Sequence, residues 1–145
     1  MSLVTTINHS SCEEIAMFLD KNATAFNPPF NTSVDIGSYA AKLFEHAVRF
    51  EVRNSDGLVA LLSSYINSEK GVAYIPYICV QQGFEGYHIG QKLFEQFYQY
   101  CRLNDVVRVE LEVRVSNHRA IEFYEKQGFA MQGSNSEKIQ LVKIL

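Results

Sequence analysis

The residues from Gln82 to Gly90 combine glycine, polar side chains and the start of a helix, a pattern that suits the binding of a phosphate group. They follow an apolar run over 72–80 and precede the regular apolar spacing of a helix. The first N–H groups of a helix have no partner within it, and the helix dipole is positive there. A diphosphate is therefore a natural ligand for this segment.

Two glycines, Gly86 and Gly90, allow a ligand to approach the backbone closely because they have no Cβ. The alternative is structural: Gly86 serves a turn and Gly90 allows close helix packing. Glycine spacing alone does not separate these interpretations, because two glycines are weak evidence.

The same segment resembles the coenzyme A-binding motif of the GNAT superfamily of acetyltransferases, in which a strand, a pyrophosphate loop and a helix follow in this order. The family pattern is Gln or Arg, two residues, Gly, one residue, then Gly or Ala. Glu85 stands here for the Gln or Arg, and His88 stands for the first Gly. A carboxylate repels a diphosphate, so we expect Glu85 to point away or to pair with a base. His88 either donates a hydrogen bond to phosphate or is a solvated surface side chain.

This resemblance implies that the loop and the first helical turn contact the coenzyme. The residues concerned are Glu85, Gly86, Tyr87, His88, Ile89, Gly90 and Gln91.

A second stretch, Leu111 to Phe129, resembles the other signature of the family, which runs from a strand through Asn and Ala to Tyr-Glu-Lys-x-Gly-Phe. Asn117, Ala120 and the residues from Tyr124 to Phe129 fill every one of these positions. The two matches come in the family order and span about 73–129. The resemblance implies a single GNAT-like domain over residues 1–145 that takes acetyl-CoA as co-substrate.

Acetyl transfer to an amine has three requirements: a neutral amine, stabilisation of the charge that builds on the thioester oxygen, and a proton for the departing thiolate. Tyr124 matches the family tyrosine that acts as general acid toward the sulfur. A phenol is able to donate a proton or a hydrogen bond at neutral pH. The alternative for Tyr124 is a packing role on the inner face of a helix.

Glu112 is the candidate general base. It lies in a Leu-Glu-Val-Arg-x-Ser-Asn string, Leu111 to Asn117, which resembles the bacterial ribosomal-protein alanine N-acetyltransferases, whose base falls at this place. Its alternative role is that of a solvent-facing strand residue among the alternating charges from Arg108 to Arg114.

The strand before the loop offers no carboxylate where many family members place one. Pro76 stands there, flanked by Tyr74 and Tyr77, which either orient a water or the acceptor, or simply pack. The resemblance implies that the pantetheine arm pairs, like an added strand, with the backbone of Ile78, Cys79 and Val80.

Asn117 matches the position that often hydrogen-bonds the coenzyme arm, and it is also a natural helix cap; one residue can do both. Cys79 as an acyl-carrying nucleophile is disfavoured, because nothing in the sequence suggests a histidine placed to activate it.

The elements that position these residues follow from hydrophobic periodicity. Strands are predicted at 3–7, 48–53, 58–66, 72–80, 107–115, 129–131 and 138–145. Helices are predicted at 11–22 with a Ser11–Glu14 capping box, after Asp35, at 89–103 and after Ser116-Asn117. This order predicts an α+β fold with a mixed, mostly antiparallel sheet flanked by helices and one parallel crossover.

Composition narrows the function classes. The 145 residues are 47% hydrophobic and 20% charged with a net charge of −3, and they form no basic stripe, so nucleic acid is not an expected partner. No apolar run approaches the ~20 residues of a membrane span. Three isolated cysteines indicate neither a disulfide framework nor a metal site. We therefore expect a cytoplasmic protein, with monomer and homodimer both open.

Three functions stay open. The first is an N-acetyltransferase acting by direct attack of a primary amine, either a small molecule or a peptide. The second is a protein N-terminal acetyltransferase, supported by the Leu111–Asn117 string. The third is a non-catalytic acyl-CoA-binding module, which Glu85, His88 and Pro76 would favour.

Overall fold

The structure, a computed structural model, describes residues 2–145, and of Tyr87 it describes the backbone alone. Its helices are α1 (Cys12–Lys21), α2 (Ile36–His46), α3 (Ile89–Leu103) and α4 (His118–Lys126). Its strands are β1 (Val4–Ile7), β2 (Val48–Asn54), β3 (Gly57–Asn67), β4 (Val72–Val80), β5 (Arg108–Arg114), β6 (Ala130–Ser134) and β7 (Lys138–Ile144).

The strands form one seven-stranded sheet in the order β1-β2-β3-β4-β5-β7-β6. The pairs β1–β2, β2–β3, β5–β7 and β6–β7 are antiparallel, whereas β4 and β5 are parallel. The pairing of β6 with β7 shifts register between Met131 and Gly133. The predicted mixed sheet with one parallel crossover is confirmed.

The chain divides into two compact units. The first comprises the residues up to Ser64 together with Tyr77–Phe97, and the second comprises Tyr65–Pro76 together with Tyr98–Leu145. Strands β3 and β4 and helix α3 contribute residues to both. A single domain over the whole chain stays a prediction, and the units are described separately below.

In the first unit, helices cover both faces of β2. The Phe50 ring lies 5.4 Å from the ring of Phe97 on α3. On the other face, the Arg49 guanidinium donates to the carbonyl oxygens of Phe44 and Ala47 at the end of α2, at 3.2 and 3.3 Å. Because successive side chains of a strand point to opposite faces, α2 and α3 lie on opposite sides of this strand.

The first unit also buries a charged pair that periodicity alone did not predict. Arg49 is 4% exposed and Glu51 is fully buried. The Glu51 carboxylate accepts hydrogen bonds from the Thr6 hydroxyl at 2.7 Å, from the N–H groups of His9 and Ser10 at 3.0 Å, and from the Ser10 hydroxyl. Burial by itself raises the pKa of Glu51, but these hydrogen bonds outweigh it and the pKa lies below its usual value. The network ties β1 and the start of α1 to β2.

Helix caps follow the prediction in part. Ser11 caps α1 by accepting from the Glu14 N–H at 3.1 Å, and Asp35 caps α2 by accepting from the Ser38 N–H at 3.1 Å. The second hydrogen bond of a capping box, from the Ser11 N–H to the Glu14 carboxylate, is wrongly predicted, because the Glu14 carboxylate accepts from Arg53 at 2.7 Å instead. An ion pair with a strand thus replaces a local hydrogen bond.

In the second unit, α4 is anchored at its carboxyl end. Lys143 of β7 donates to the Gln127 carbonyl at 2.6 Å, and its Nζ lies 5.2 Å from the Tyr98 ring centre. The Tyr98 hydroxyl donates to Gln127 Oε1 at 3.3 Å. Gly128 has φ +97°, as predicted for the residue after the helix, and a Cβ there would lie 2.6 Å from Lys143 Nζ. These contacts hold α4 on the face of β5 and β7 that Val109 shares with Lys143.

Candidate active site

Strand β4 pairs in parallel with β5 along its first four residues. Its parallel pairing with β5 runs from Val72 to Ile75, and Pro76 is the next residue. Proline has no N–H to donate, so it ends a ladder. Ile78, Cys79 and Val80, the residues expected to meet the pantetheine arm, lie beyond this point but still within β4. An extended segment past the end of a ladder is suited to pairing with an added strand-like ligand.

The residues after β4 form a short 3₁₀ turn over Glu85–Tyr87 and then a left-handed residue, His88, before α3 begins at Ile89. The first backbone bond of α3 runs from the Lys92 N–H to the His88 carbonyl at 3.1 Å. The N–H groups that precede it, those of Ile89, Gly90 and Gln91, belong to the unpaired first turn of the helix. The predicted helix start is confirmed.

His88 has φ +54°, in the left-handed region that favours glycine. This geometry explains why the family pattern has glycine at the position that His88 fills. Its side chain is exposed. The family pattern has glycine at this position, and that glycine is the sequence feature that indicates a left-handed conformation.

Gly86 leaves room for a ligand. Its φ is not in the left-handed region, and a Cβ built on it would meet no atom within 4 Å. Neither backbone conformation nor packing therefore requires glycine at Gly86. The open space beside a helix amino end fits a diphosphate, and the residues present here are compatible with that group. The side chain of Tyr87 lies outside the described residues.

The Glu85 carboxylate makes a contact within its own loop. Its Oε2 accepts a hydrogen bond from the Gly83 N–H at 2.8 Å. The expectation that Glu85 points away from a bound diphosphate or pairs with a base stays a prediction. Gly83 has φ +98°, a conformation that other residues rarely adopt. The negative charge is therefore held on the loop.

The inner side chains of β4 are buried among aromatic rings. Tyr77 is 2% exposed, and its ring lies 5.5 and 5.3 Å from those of Phe26 and Phe30. Burial raises the pKa of the Tyr77 hydroxyl, and burial also raises the pKa of the Cys79 thiol to about 11. The Cys79 thiolate is negligible at neutral pH, which agrees with the view that Cys79 is not a nucleophile.

In the second unit, Glu112 projects from β5 on the face opposite to Val109 and Lys143. It is exposed, and its Oε1 lies 3.5 Å from the Tyr74 hydroxyl. Burial raises the pKa of Tyr74, and the Glu112 charge raises it further, so the phenol keeps its proton at neutral pH and can donate it toward Glu112. Sequence periodicity placed Glu112 on the strand but did not predict this contact.

The neighbouring carboxylate, Glu110, is paired. Arg108 Nε donates to it at 2.6 Å, and Arg108 Nη2 donates to Gln132 Oε1 at 2.8 Å. No salt bridge to Glu112 is found among residues 2–145. Of the two carboxylates on this face, Glu112 is therefore the one available to take a proton.

Both carboxylates line an open cavity of about 280 Å³. Its lining residues are Tyr74, Glu110, Leu111, Glu112, Gln132, Gln140, Leu141 and Val142. Sequence reasoning missed Gln132 and Gln140. Gln132 lies at the register shift between β6 and β7, and Gln140 is the register partner of Glu112 on β7, so both positions depend on strand pairing. The cavity is large enough for a small group bearing an amine.

Tyr124 is 8% exposed on α4. Its ring contacts Phe123 and Phe129, with ring centres 5.7 and 5.8 Å away. It is the buried residue of its helix, so a packing role is certain, and its role as general acid stays a prediction.

Asn117 caps α4, since its side-chain oxygen accepts from the Ala120 N–H at 3.2 Å. Its side chain is exposed, and the Nδ2 group makes no hydrogen bond within residues 2–145, so the amide remains able to donate to a ligand. The predicted cap is confirmed, and the coenzyme contact stays a prediction.

The described residues offer neither a metal site nor a membrane-spanning helix. In residues 2–145, no group of three or more His, Cys, Asp or Glu side chains is arranged to hold a metal ion. Over the same range, no helix has the length and apolar character that a membrane crossing requires.

Comparison with known families settles the class of protein. A sequence model of the acetyltransferase (GNAT) family matches residues 15–129 of this chain. This chain belongs to the GNAT acetyltransferase family.

Individual relatives agree with that assignment. A Bacillus subtilis (strain 168) protein, provisionally named a [ribosomal protein bS18]-alanine N-acetyltransferase, is 27% identical over 135 residues, which are 92% of this chain and 85% of the relative. The crystal structure of the ribosomal-protein-S18-alanine N-acetyltransferase from Escherichia coli has a TM-score of 0.77 at 20% identity, covering 97% of this chain and 94% of that one. The PaiA N-acetyltransferase from Thermoplasma acidophilum, solved in complex with coenzyme A, has a TM-score of 0.80 at 14% identity over the full length of both chains. At these identities the solved structures show a shared fold.

Proposed function

We propose that this protein transfers the acetyl group of acetyl-CoA to the α-amine of a protein or peptide N-terminus by direct attack. The observation that carries the proposal is Glu112, an exposed carboxylate that makes no salt bridge among residues 2–145 and borders an open cavity beside the Tyr74 hydroxyl. Its place in the Leu111–Asn117 string and the names of the Bacillus and Escherichia relatives support a peptide acceptor.

The coenzyme would be held by the end of β4 and by the loop that opens α3. Backbone groups of Ile78, Cys79 and Val80 are suited to pair with the pantetheine arm, and the first turn of α3 beside Gly86 is suited to the diphosphate. When bound, acetyl-CoA supplies an acetyl group activated as a thioester.

The residues of this chain would then supply three functions. Glu112, directly or through a water, takes a proton from the ammonium form of the acceptor, whose α-amine has an ordinary pKa of ~8. Backbone N–H groups at the end of β4 donate to the carbonyl oxygen as negative charge develops on it. Tyr124 gives its hydroxyl proton to the departing sulfur.

A turnover assay tests the proposal. Thiol release is measured with acetyl-CoA and matched acceptors: a peptide with a free N-terminal alanine, the same peptide with that amine blocked and one lysine free, and a polyamine. We expect turnover with the first acceptor only, with mass spectrometry showing one acetyl group on the α-amine. Turnover with the polyamine alone would replace the peptide acceptor by a small-molecule one.

A binding measurement separates enzyme from non-catalytic module. Coenzyme A should raise the thermal midpoint, because a ligand that binds only the folded state stabilises it. Binding without turnover on any amine would favour a non-catalytic acyl-CoA-binding module. An unchanged melting curve at saturating coenzyme A would contradict the diphosphate site itself.

A further inference from the structure

The loop before α3 carries a negative charge that its own backbone holds in place. The Glu85 carboxylate accepts from the Gly83 N–H at 2.8 Å, across a turn in which Gly83 has φ +98°. Because the bond joins two residues of the same loop, the carboxylate moves together with the loop.

This loop is the segment suited to the diphosphate under the proposed function. A fixed carboxylate repels an anion bound to the same segment. In addition, the Gly83 N–H already serves an internal carboxylate and is less available to a phosphate oxygen. Both effects act against coenzyme binding.

The rest of the segment is not acidic. His88 and Lys92, both exposed, are the neighbouring groups that are able to carry positive charge. Removing the charge of Glu85 would leave the loop and the first turn of α3 with a local balance that favours an anion.

We propose that Glu85 is an affinity-determining residue that weakens coenzyme binding and so sets the acetyl-CoA concentration at which the enzyme saturates. This inference rests on the proposed function, because it requires that the loop receive the diphosphate. The same effect speeds the release of the coenzyme product, since repulsion acts on both coenzyme forms.

The substitution Glu85→Gln is a clean probe, because glutamine removes the charge and keeps an oxygen that can accept from the Gly83 N–H. Calorimetric titration with coenzyme A at low salt should show affinity roughly three- to tenfold higher than in the parent, as expected for one charge near an anion at a surface. At about 0.5 M salt the difference should shrink, because exposed charges are screened.

Two controls define the cause. Pantetheine, which lacks the diphosphate, should bind the parent and Glu85→Gln equally. Glu69→Gln removes an equal charge from the exposed β3–β4 turn and should leave the affinity for coenzyme A unchanged.

The outcomes separate this inference from the proposed function. If the parent binds coenzyme A and folded Glu85→Gln binds it equally or more weakly, the inference is overturned and the coenzyme site stands. An equal gain for pantetheine would also overturn it, because the effect would not involve the diphosphate. If no variant binds coenzyme A, the proposed function fails and the inference fails with it.

Discussion

The coenzyme loop, residues 81–91, and the β5–α4 segment, residues 111–129, differ in how they follow the family pattern. The loop departs at Glu85 and His88, whereas the β5–α4 segment fills every signature position. In the loop, the groups suited to bind an anion are backbone N–H groups, which any residue except proline provides. In the β5–α4 segment, the proposed work is done by side chains: a carboxylate, a cap and a phenol. Backbone recognition tolerates changes of side chain that side-chain chemistry does not.

The largest effect is expected where a side chain blocks the backbone site. Gly90→Glu should lower the affinity for coenzyme A roughly a hundredfold or more, since it adds bulk and like charge at the helix amino end. Calorimetry measures the affinity. The matched control is Gly37→Glu, because Gly37 also follows an isoleucine as second residue of a helix, α2. Unchanged affinity in a folded Gly90→Glu protein would contradict the loop as diphosphate site.

Tyr124→Phe tests the side-chain chemistry proposed for the β5–α4 segment. It should lower kcat roughly tenfold or more and leave the affinity for coenzyme A within about twofold, because the hydroxyl acts when charge leaves on sulfur. Tyr100→Phe, on α3, loses the same atom and should keep normal turnover. If the two variants turned over equally fast, Tyr124 would be a packing residue only.

Glu112→Gln should show a smaller and pH-dependent defect. We expect a loss of about tenfold near pH 6.5, where the α-amine is mostly protonated, and partial recovery near pH 9. Glu110→Gln is the control, because Glu110 is already paired with Arg108 on the same face of β5. Superimposable pH–rate curves for Glu112→Gln and the parent would leave a water relay or another residue as the base.

The smallest effect is expected from restoring the family glycine. His88→Gly should raise the free energy of unfolding by about 0.5 kcal/mol, because it relieves a left-handed conformation, and should change the affinity for coenzyme A little. Urea unfolding measures the first quantity. Asp105→Gly is the control at another left-handed position, φ +60°, and should gain less, since Asp tolerates this region better. A loss of stability at His88→Gly would show that the imidazole makes a contact that outweighs the strain.

Local patterns predicted the elements well. Ile89, Leu93, Phe97 and Cys101 recur at helical spacing and are all buried along α3. Asp35 and Asn117 accept the hydrogen bonds expected of helix caps, because a cap depends only on the next three residues.

The unpredicted features depend on partners distant in the chain. Burial of Arg49 and Glu51 needs Thr6 and Ser10, about 40 residues away, to satisfy the charges. The contact of Tyr74 with Glu112 depends on the register of β4 against β5. The alternation of apolar and polar residues shows which side chains share a face of a strand. The register between two strands is set by the assembled sheet.

The ends of the sheet bear on the behaviour of the protein at high concentration. Its outermost strands are β1, with four residues, and β6, with five residues and a register shift after Met131. Short and irregular edges offer a second chain few consecutive backbone groups for pairing. We therefore expect concentrated solutions to resist edge-to-edge aggregation, and a substitution that regularised β6 to weaken that resistance.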